Sequence, residues 1–500
     1  MIYVHWLILL AYVVIVISVI ATVLMENRQP AKTMAWILVL IFLPIIGIVL
    51  YFFFGKNTRK ERIISQRSLD QLTKRAMLQF AEQRDLQLPE AHYALISLFS
   101  QHNWALPFKD NKVDIYTDGY QFFHALLRQI HQARHHIHLD TYIFEDDALG
   151  NLVADALISR ARDGVEVRVI YDDVGCWRVK YRFFERMREA GIEVHAFMPV
   201  KFPAFTSKVN YRNHRKICVI DGTVGFIGGM NIATRYVKGR TPRRRSLLER
   251  IFNRQRKVKG KKEANVPWRD THLRIQGGAV YGIQRAFLVD WYFVDRTLIT
   301  SQQYYPPAAL PQSELSPNTL IQIVTSSPIT PWPDIEQGYM RILMQAKHYV
   351  YLESPYFLPT EPVLFAMRTA ALAGIDVRLI VPAKSDSTIV YHASRTFLDD
   401  IIQAGVKVYL YRKAFNHSKM LISDDSLATC GSTNIDFRSF ENNFEGNAFI
   451  YDSDVALRMK NIFLQDQQQS ERYDARSKRF RQPFLSRLFS SLFRLLAPLM

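Results

Sequence analysis

Apolar positions along this chain follow three different rhythms. Val4 to Leu24 is an uncharged, predominantly apolar run with His5 near its start. At about 1.5 Å per residue it reaches roughly 30 Å, the thickness of a bilayer core. Met34 to Phe54 is a second such run, holding Pro44 and Gly47, which membrane helices tolerate. The polar link Glu26 to Thr33 joins them, so the pattern predicts a two-helix transmembrane hairpin over residues 1–58. The first run has neither a basic n-region nor an A-x-A-like site, and a second span follows at once, which argues against a cleaved signal peptide. Lys56, Arg59, Lys60 and Arg62 after the second run outnumber Arg28 and Lys32 in the link. The positive-inside bias then places both the N-terminus and the large C-terminal body in the cytoplasm.

Beyond the hairpin, short β-branched runs alternate with segments of helical periodicity, and the series occurs twice. Ala133 to Asp140 with Phe144 recurs as Ala346 to Glu353 with Phe357, Gly164 to Ile170 as Gly374 to Ile380, and Ala190 to Val194 as Ala404 to Val408. Alternating strands and helices predict an α/β fold in which each half is a β-sheet flanked by helices. The expected division is a helical linker over 59–105, a first domain over 106–300 and a second over 301–475, with Ser301 to Ser316 as the Pro-rich joint. The third rhythm is the tail, 476–500. From Phe484, Leu485, Leu488, Phe489, Leu492, Leu495, Leu496 and Leu499 fall on one helical side, with Arg487 and Arg494 among the polar positions. That is a basic amphipathic helix, suited either to an anionic interface or to packing on the body.

Composition sharpens this only in part. Hydrophobic residues make up 48% and charged ones 22%, ordinary for an enzyme, but the net charge of +18 calls for an anionic partner, nucleic acid or acidic lipid. Lys238 to Glu263 carries twelve Lys or Arg against two Glu and has no counterpart in the second half. It reads as a solvated basic loop or a flap that grips anionic headgroups. Cys176, Cys218 and Cys430 have no metal-type spacing and fit buried apolar positions.

The candidate chemistry sits in two matched clusters. Asn213-His214-Arg215-Lys216, Asp221 and Gly228-Gly229-Met230-Asn231 recur as Asn416-His417-Ser418-Lys419, Asp424 and Gly431-Ser432-Thr433-Asn434, every pair 203 residues apart. On a strand, His214 and Lys216 share one face, whereas Asp221 falls on the other parity, which favours a structural role for it and for Asp424 unless a bulge intervenes. Imidazole, ammonium and amide on one surface make a site for a phosphate oxyanion, with a nucleophile, a general acid and fixed positive charge. No other His, Asp or Glu cluster has metal spacing; His135, His136 and His138 read as strand-flanking residues.

H-x-K-x4-D followed by G-[SG]-x-N, twice in one chain, resembles the phospholipase D superfamily. Ala35-Trp36-Ile37 with Pro44, Gly47, Tyr51 and Phe54-Gly55, the run Phe226 to Ile232, Trp268 to His272, Arg438-Ser439-Phe440 and Asn443-Phe444-Glu445 are similar to bacterial cardiolipin synthases over nearly the whole chain. The resemblance implies an enzyme of the bacterial cell membrane that uses no cofactor or metal. It would transfer a phosphatidyl group between two phosphatidylglycerol molecules through a phosphohistidine, with phosphatidylethanolamine an alternative second lipid. It implies catalytic roles for His214, Lys216, Asp221, His417, Lys419 and Asp424. His214 would be the nucleophile and His417 the acid and base, though the near-symmetry leaves the reverse assignment open. Asn231, Ser432 and Asn434 would hold the phosphate, and Gly229 lacks the hydroxyl that Ser432 keeps. A carboxylate further along each half would orient its histidine: Asp270 after His214, Glu445 after His417. A hydrolase of the superfamily, a nuclease and a non-catalytic scaffold are the rival readings. The apolar runs weigh against the nuclease, so no nucleic acid is expected as partner, and two intact motifs weigh against the scaffold.

Overall fold

The computed structural model describes residues 2–25, 30–51, 55, 66–83, 86–200, 210–239, 266–307, 314–316, 319–474, 483–495 and 497. The basic loop therefore lies outside the described residues except for Lys238 and Gly239. Helix α1 (Ile2–Met25) is long and apolar enough to cross a membrane. The second apolar run, expected as one span, is two helices, α2 (Pro30–Phe42) and α3 (Pro44–Leu50), broken at Leu43. Pro44 has no N–H, and its ring denies a continuous helix to the preceding turn. The helices nevertheless fold back on α1, burying Val23, Leu40 and Tyr51 together, with the Trp36 ring edge-on to Tyr51 at 5.4 Å.

Two helices lead into the body, α4 (Gln66–Ala81) and α5 (Tyr93–Asn103). The first half then contains β1 (Lys112–Tyr116), α6 (Gly119–Gln132), β2 (His136–Thr141), α7 (Ala148–Arg162), β3 (Glu166–Asp172), α8 (Tyr181–Glu189) and β4 (Glu193–Phe197). It closes with β5 (Arg212–Asn213), β6 (Lys216–Ile220), β7 (Val224–Gly228), α9 (Arg235–Lys238), β8 (His272–Gln276) and α10 (Val280–Asp295). The second half repeats the series: β9 (Leu320–Ser326), α11 (Asp334–Gln345), β10 (Tyr349–Glu353), β11 (Phe357–Leu358), α12 (Glu361–Leu372), β12 (Asp376–Pro382), α13 (Thr388–Gln403) and β13 (Lys407–Tyr411). It ends with β14 (Met420–Ser423), β15 (Leu427–Gly431), β16 (Ile435–Asp436), α14 (Phe437–Glu441), β17 (Asn443–Tyr451), α15 (Ser453–Gln468), β18 (Ser470–Arg472) and the separate tail helix α16 (Phe484–Leu495).

Both sheets have one topology. The first runs β1-β8-β7-β6-β2-β3-β4, and the second follows the matching path β9-β17-β15-β14-β10-β12-β13, extended at one edge by β18. In each, three strands are parallel and the rest antiparallel. The central strands carry Val167, Val169, Leu379 and Ile380, buried on both faces, as expected of β-branched runs covered by helices. Helices α10 and α15 cover the inner faces, and one apolar core containing Phe287, Trp291, Met420, Cys430 and Phe444 is shared by the two halves.

Three details depart from the sequence reading. Helix α5, placed ahead of the first domain, packs on the second: its Phe99 ring lies 4.6 Å from Phe449, and Asn103 donates to Asp334. His136 and His138 lie within β2 rather than beside it, both hydrogen-bonded to Gln284 of α10. Strand β5 leaves its own half and pairs, parallel, with the start of β17, matching Asn213 with Phe444.

Candidate active site

That exchange of strands builds the site. The His214 N–H donates to the Phe444 carbonyl (2.9 Å), so His214 emerges beside Glu445. In mirror fashion Arg269 bridges to Asn416 and the His417 N–H donates to the Arg269 carbonyl (2.6 Å), setting His417 beside Asp270. Each motif asparagine then turns the chain. Asn213 Oδ1 accepts from the Arg215 N–H (3.1 Å) while its amide donates to Asp140 (2.9 Å). Asn416 Oδ1 accepts from the Ser418 N–H (2.9 Å) while its amide donates to Glu353 (3.1 Å). A short polar side chain bonding its own backbone two residues on is a compact way to reverse direction before β6 and β14.

The histidines take their carboxylates from the opposite half, which corrects the expectation of a partner further along each own half. His214 Nδ1 lies 3.0 and 3.1 Å from the two oxygens of Glu445, and His417 Nδ1 lies 2.7 Å from Asp270 Oδ2. With Nδ1 so engaged, Nε2 is the ring atom left for chemistry. Lys216 and Lys419 each donate to the carbonyl of the histidine two residues before, and Lys419 Nζ stands 2.8 Å from His417 Nδ1. All six groups are buried, the histidines only 8% and 5% exposed.

They also feel one another. Burial pushes the His214 imidazole down to about 4, and the Lys216 and Lys419 cations add to this against the pull of Glu445. His417 is held well below the ordinary imidazole value by burial, then by Lys419, Lys216 and His214. Burial also lowers the ammonium of Lys216 to about 7 and that of Lys419 to about 8, with Asp270 and Glu445 opposing at both. Each half-site thus lies within the field of the other. One phosphate group entering there would meet two imidazoles and two ammoniums.

The carboxylates are not equivalent. Burial alone would raise Glu445, but His214, Lys216 and the Ser432 hydroxyl hold it below the usual carboxylate range. The Asn443 amide adds a contact at 3.3 Å. Burial dominates at Asp270 and raises it, against Lys419 and the Thr271 N–H. Ser432 thus serves Glu445, donating to one of its oxygens while accepting from the Gly446 N–H (3.0 Å), which corrects its expected place as a phosphate ligand. At Gly229 an added Cβ would run into Asp270 Oδ1, so the missing side chain is what admits that carboxylate.

The remaining candidates divide. Asn231 Oδ1 accepts from the Ile143 N–H (3.2 Å), and its amide donates to the Tyr236 hydroxyl (3.1 Å), which in turn lies 3.3 Å from His417 Nδ1. Asn434 is buried, and its Oδ1 has no hydrogen-bond partner among the described residues. Asp221 and Asp424 are not brought to the site, a correction to their inclusion among catalytic residues. They stand beyond the far ends of β6 and β14 with left-handed backbone (φ 52° and 49°). There Asp221 gathers the N–H groups of Arg134, His135 and His136, and Asp424 those of Lys347, His348 and Tyr349.

Several surrounding residues carry no assigned role in the sequence motifs. The Tyr142 ring meets His214 edge-on at 5.0 Å, with the Lys216 ammonium 5.1 Å from the same ring. The rings of Trp268, Phe415 and Tyr356 enclose His417 at 5.4, 5.9 and 6.4 Å. Arg215 joins Asp290 of α10 to the Glu445 carbonyl, and Arg269 joins Asp466 of α15 to the Asp270 carbonyl. A guanidinium thus backs each half-site, supplied from unrelated sequence positions. Asp140 and Glu353, which hold the motif asparagines, are the two acidic ends of the repeated segment.

Two α/β halves of one topology, each supplying the carboxylate for the other's histidine, define a duplicated phospholipase D-like fold. The family described as cardiolipin synthase, PLD-like domain matches residues 126–241 and 339–467, and a phospholipase D-nuclease N-terminal family matches 8–56. The chain is 37% identical to a cardiolipin synthase of Alkalihalophilus pseudofirmus over 99% of its own length and 95% of that protein. It is 35% identical to the major cardiolipin synthase of Bacillus subtilis strain 168 over 98% of each. Phosphatidylserine synthase of Haemophilus influenzae Rd KW20 has the same fold, with a TM-score of 0.59 at 13% identity, covering 82% of this chain and 100% of that one. The chain belongs to the cardiolipin synthase family.

Proposed function

We propose that this protein is a phosphatidyltransferase that joins two phosphatidylglycerol molecules into cardiolipin and glycerol. The observation that carries the reading is the crossed pairing of His214 with Glu445 and His417 with Asp270 inside one buried field. In the first step His214 Nε2 attacks phosphorus, the bond to the glycerol oxygen breaks, and His417 gives that oxygen a proton. In the second, neutral His417 takes the proton from a hydroxyl of another phosphatidylglycerol, whose oxygen attacks phosphorus as the P–N bond breaks. An anionic phosphodiester offsets the two ammoniums and so allows His417 to carry its proton. Lys216 and Lys419 stabilise charge on the equatorial oxygens. Glu445 and Asp270 fix the tautomers and support the imidazolium that forms.

The body works beside the cytoplasmic leaflet, with α1 and the kinked α2–α3 pair as its anchor. Discharge of the phosphohistidine to water would give phosphatidic acid instead; the burial of both histidines favours the lipid hydroxyl as acceptor. The test is incubation of purified protein with phosphatidylglycerol in mixed micelles with EDTA, followed by mass spectrometry. Cardiolipin with equimolar glycerol is the expected product, and phosphatidic acid alone would overturn the transferase reading. His214→Ala and His417→Ala should each abolish product.

A further inference from the structure

Five tryptophans lie beyond the N-terminal helices, and two of them, Trp177 and Trp332, are exposed, at 76 and 54%. The strand register places both at the end of the sheets that carries the motifs. Thr141 of β2 pairs with Lys216 on one side and with Tyr171 of β3 on the other, so the β3–α8 loop bearing Trp177 departs beside the first motif. Ser326, the last residue of β9, pairs with Glu445, so the loop 327–333 bearing Trp332 departs beside the carboxylate that serves His214.

Both loops are braced. Asp172 accepts from the Gly175 N–H inside the first loop and from the Asn213 N–H in the motif, each at 2.9 Å. Cys176 Sγ accepts from the Phe144 N–H (3.2 Å), and a Cβ added at Gly175 would run into the carbonyl of Tyr142, whose ring meets His214. Trp332 stands between Pro331 and Pro333, whose rings fix φ, and the Thr330 hydroxyl donates to the Ser327 carbonyl (2.9 Å). An indole held in water by a braced loop forgoes a large gain from burial, so a cover from outside the chain is called for.

The charge around Trp177 says what the cover is. Within 173–182 every exposed charge is positive: Arg178, Lys180 and Arg182, beside the 72% exposed Tyr181. The loop carboxylates are engaged, Asp172 as above and Asp173 by the Val200 N–H (2.7 Å). The tail helix extends the same end in the second half. Along α13 and α16, His392 lies 3.4 Å from Ser490 and the Phe397 ring 4.4 Å from the Arg494 guanidinium, so the two helices run in parallel. The exposed Phe484 of α16 is thereby level with the start of α13, which follows the site end of β12.

We infer that this end of the body docks on an anionic bilayer, with Trp177, Tyr181 and Trp332 seated among the headgroups and Arg178, Lys180 and Arg182 meeting their phosphates. Indole and phenol rings, apolar with one polar edge, settle at headgroup level, and basic side chains are drawn to an acidic leaflet. The docked face is the one on which the motifs lie, so a phospholipid would reach His214 and His417 without leaving its leaflet. That consequence rests on the lipid reading above; the docking itself does not.

The test uses full-length protein in nanodiscs of mixed phosphatidylglycerol and phosphatidylcholine, with a nitroxide on Trp177→Cys or, as control, on Leu372→Cys. Leu372 is as exposed, at 73%, but ends α12 where the chain enters β12, at the opposite strand ends. The ratio of relaxation by oxygen, which concentrates in lipid, to relaxation by a water-soluble nickel chelate should be several-fold higher at Trp177→Cys. Equal ratios at the two sites, or a label at Trp177→Cys shielded from both reagents as by a protein partner, overturn the docking. In the doubly substituted Trp177→Ala, Trp332→Ala protein, turnover of phosphatidylglycerol in vesicles relative to monomeric dihexanoyl phosphatidylglycerol should fall at least about tenfold. An unchanged ratio also counts against the docking. Absence of cardiolipin from wild type would defeat the transferase reading, while the relaxation measurement still decides the docking.

Discussion

His214 Nδ1 lies 3.0 Å from Oε1 of Glu445, a residue 231 positions on and in the opposite half of the molecule. Glu445→Gln should therefore behave as a lesion of the first motif. The amide still fits but no longer supports an imidazolium, so turnover should drop about 10- to 100-fold with little change in KM, the usual cost of losing such a partner. Glycerol release measured under initial-rate conditions checks it. Asp270→Asn should do the same through His417.

Gly229 invites a misleading repair. Restoring the serine found at the matching position of the second half would push into Asp270 Oδ1. Gly229→Ser is expected to lower activity at least tenfold by displacing the carboxylate from His417, whereas Ser432→Ala removes only one of the donors to Glu445 and should cost less. Parallel assays of the two variants decide it.

Stability and activity should move in opposite directions with alkaline pH. Lys216 and Lys419 have folded values near 7 and 8, against about 10.4 for a free lysine. Between those limits the unfolded chain binds more protons than the folded one, so stability rises as pH rises through that window. The same loss of ammonium charge removes the phosphate clamp, so kcat/KM should decline above about pH 8, reporting the free enzyme. Melting temperatures and kcat/KM from pH 6.5 to 9.5 test both signs, and Lys216→Met should flatten part of the stability rise.

Asp221 offers a separation of folding from chemistry. Its carboxylate ties down three backbone N–H groups at the start of β2. Asp221→Ala should destabilise the protein by about 1–3 kcal/mol, from lost hydrogen bonds and a left-handed backbone that alanine resists. Turnover per folded molecule should stay within about twofold, a modest effect for a residue outside the pocket. Calorimetry beside active-site titration measures the two independently.

Leu492, exposed on α16, should enter the bilayer. Leu492→Cys carrying an environment-sensitive fluorophore is expected to shift to the blue on anionic vesicles and to be quenched by lipids brominated on the chain. The three native cysteines are buried and should not compete for the label.

Much of this was legible beforehand because duplication writes itself along the chain: matched strands, matched motifs and their constant offset follow from local periodicity. Strand parity also separates Asp221 and Asp424 from the histidines. What sequence spacing could not express is exchange between halves. Glu445 follows His417 in order, yet β5 pairs with β17 and delivers Glu445 to His214. Nor does a repeat reveal that Arg215 and Arg269 fill equivalent places from inequivalent positions, since each is set by tertiary packing on α10 or α15. Ser432 was misplaced for a simpler reason: a hydroxyl near a phosphate motif has two potential partners, and burial beside Glu445 decided between them.

The traded carboxylates also bear on how the polypeptide tolerates severance and drift. Neither lobe expressed by itself would hold a correctly poised imidazole, so a chain nicked at the Pro-rich joint would regain turnover only upon reassociation of its fragments. Any hinge-like gaping of the lobes would unseat both imidazoles at once, making catalysis a sensitive gauge of how firmly they stay clasped.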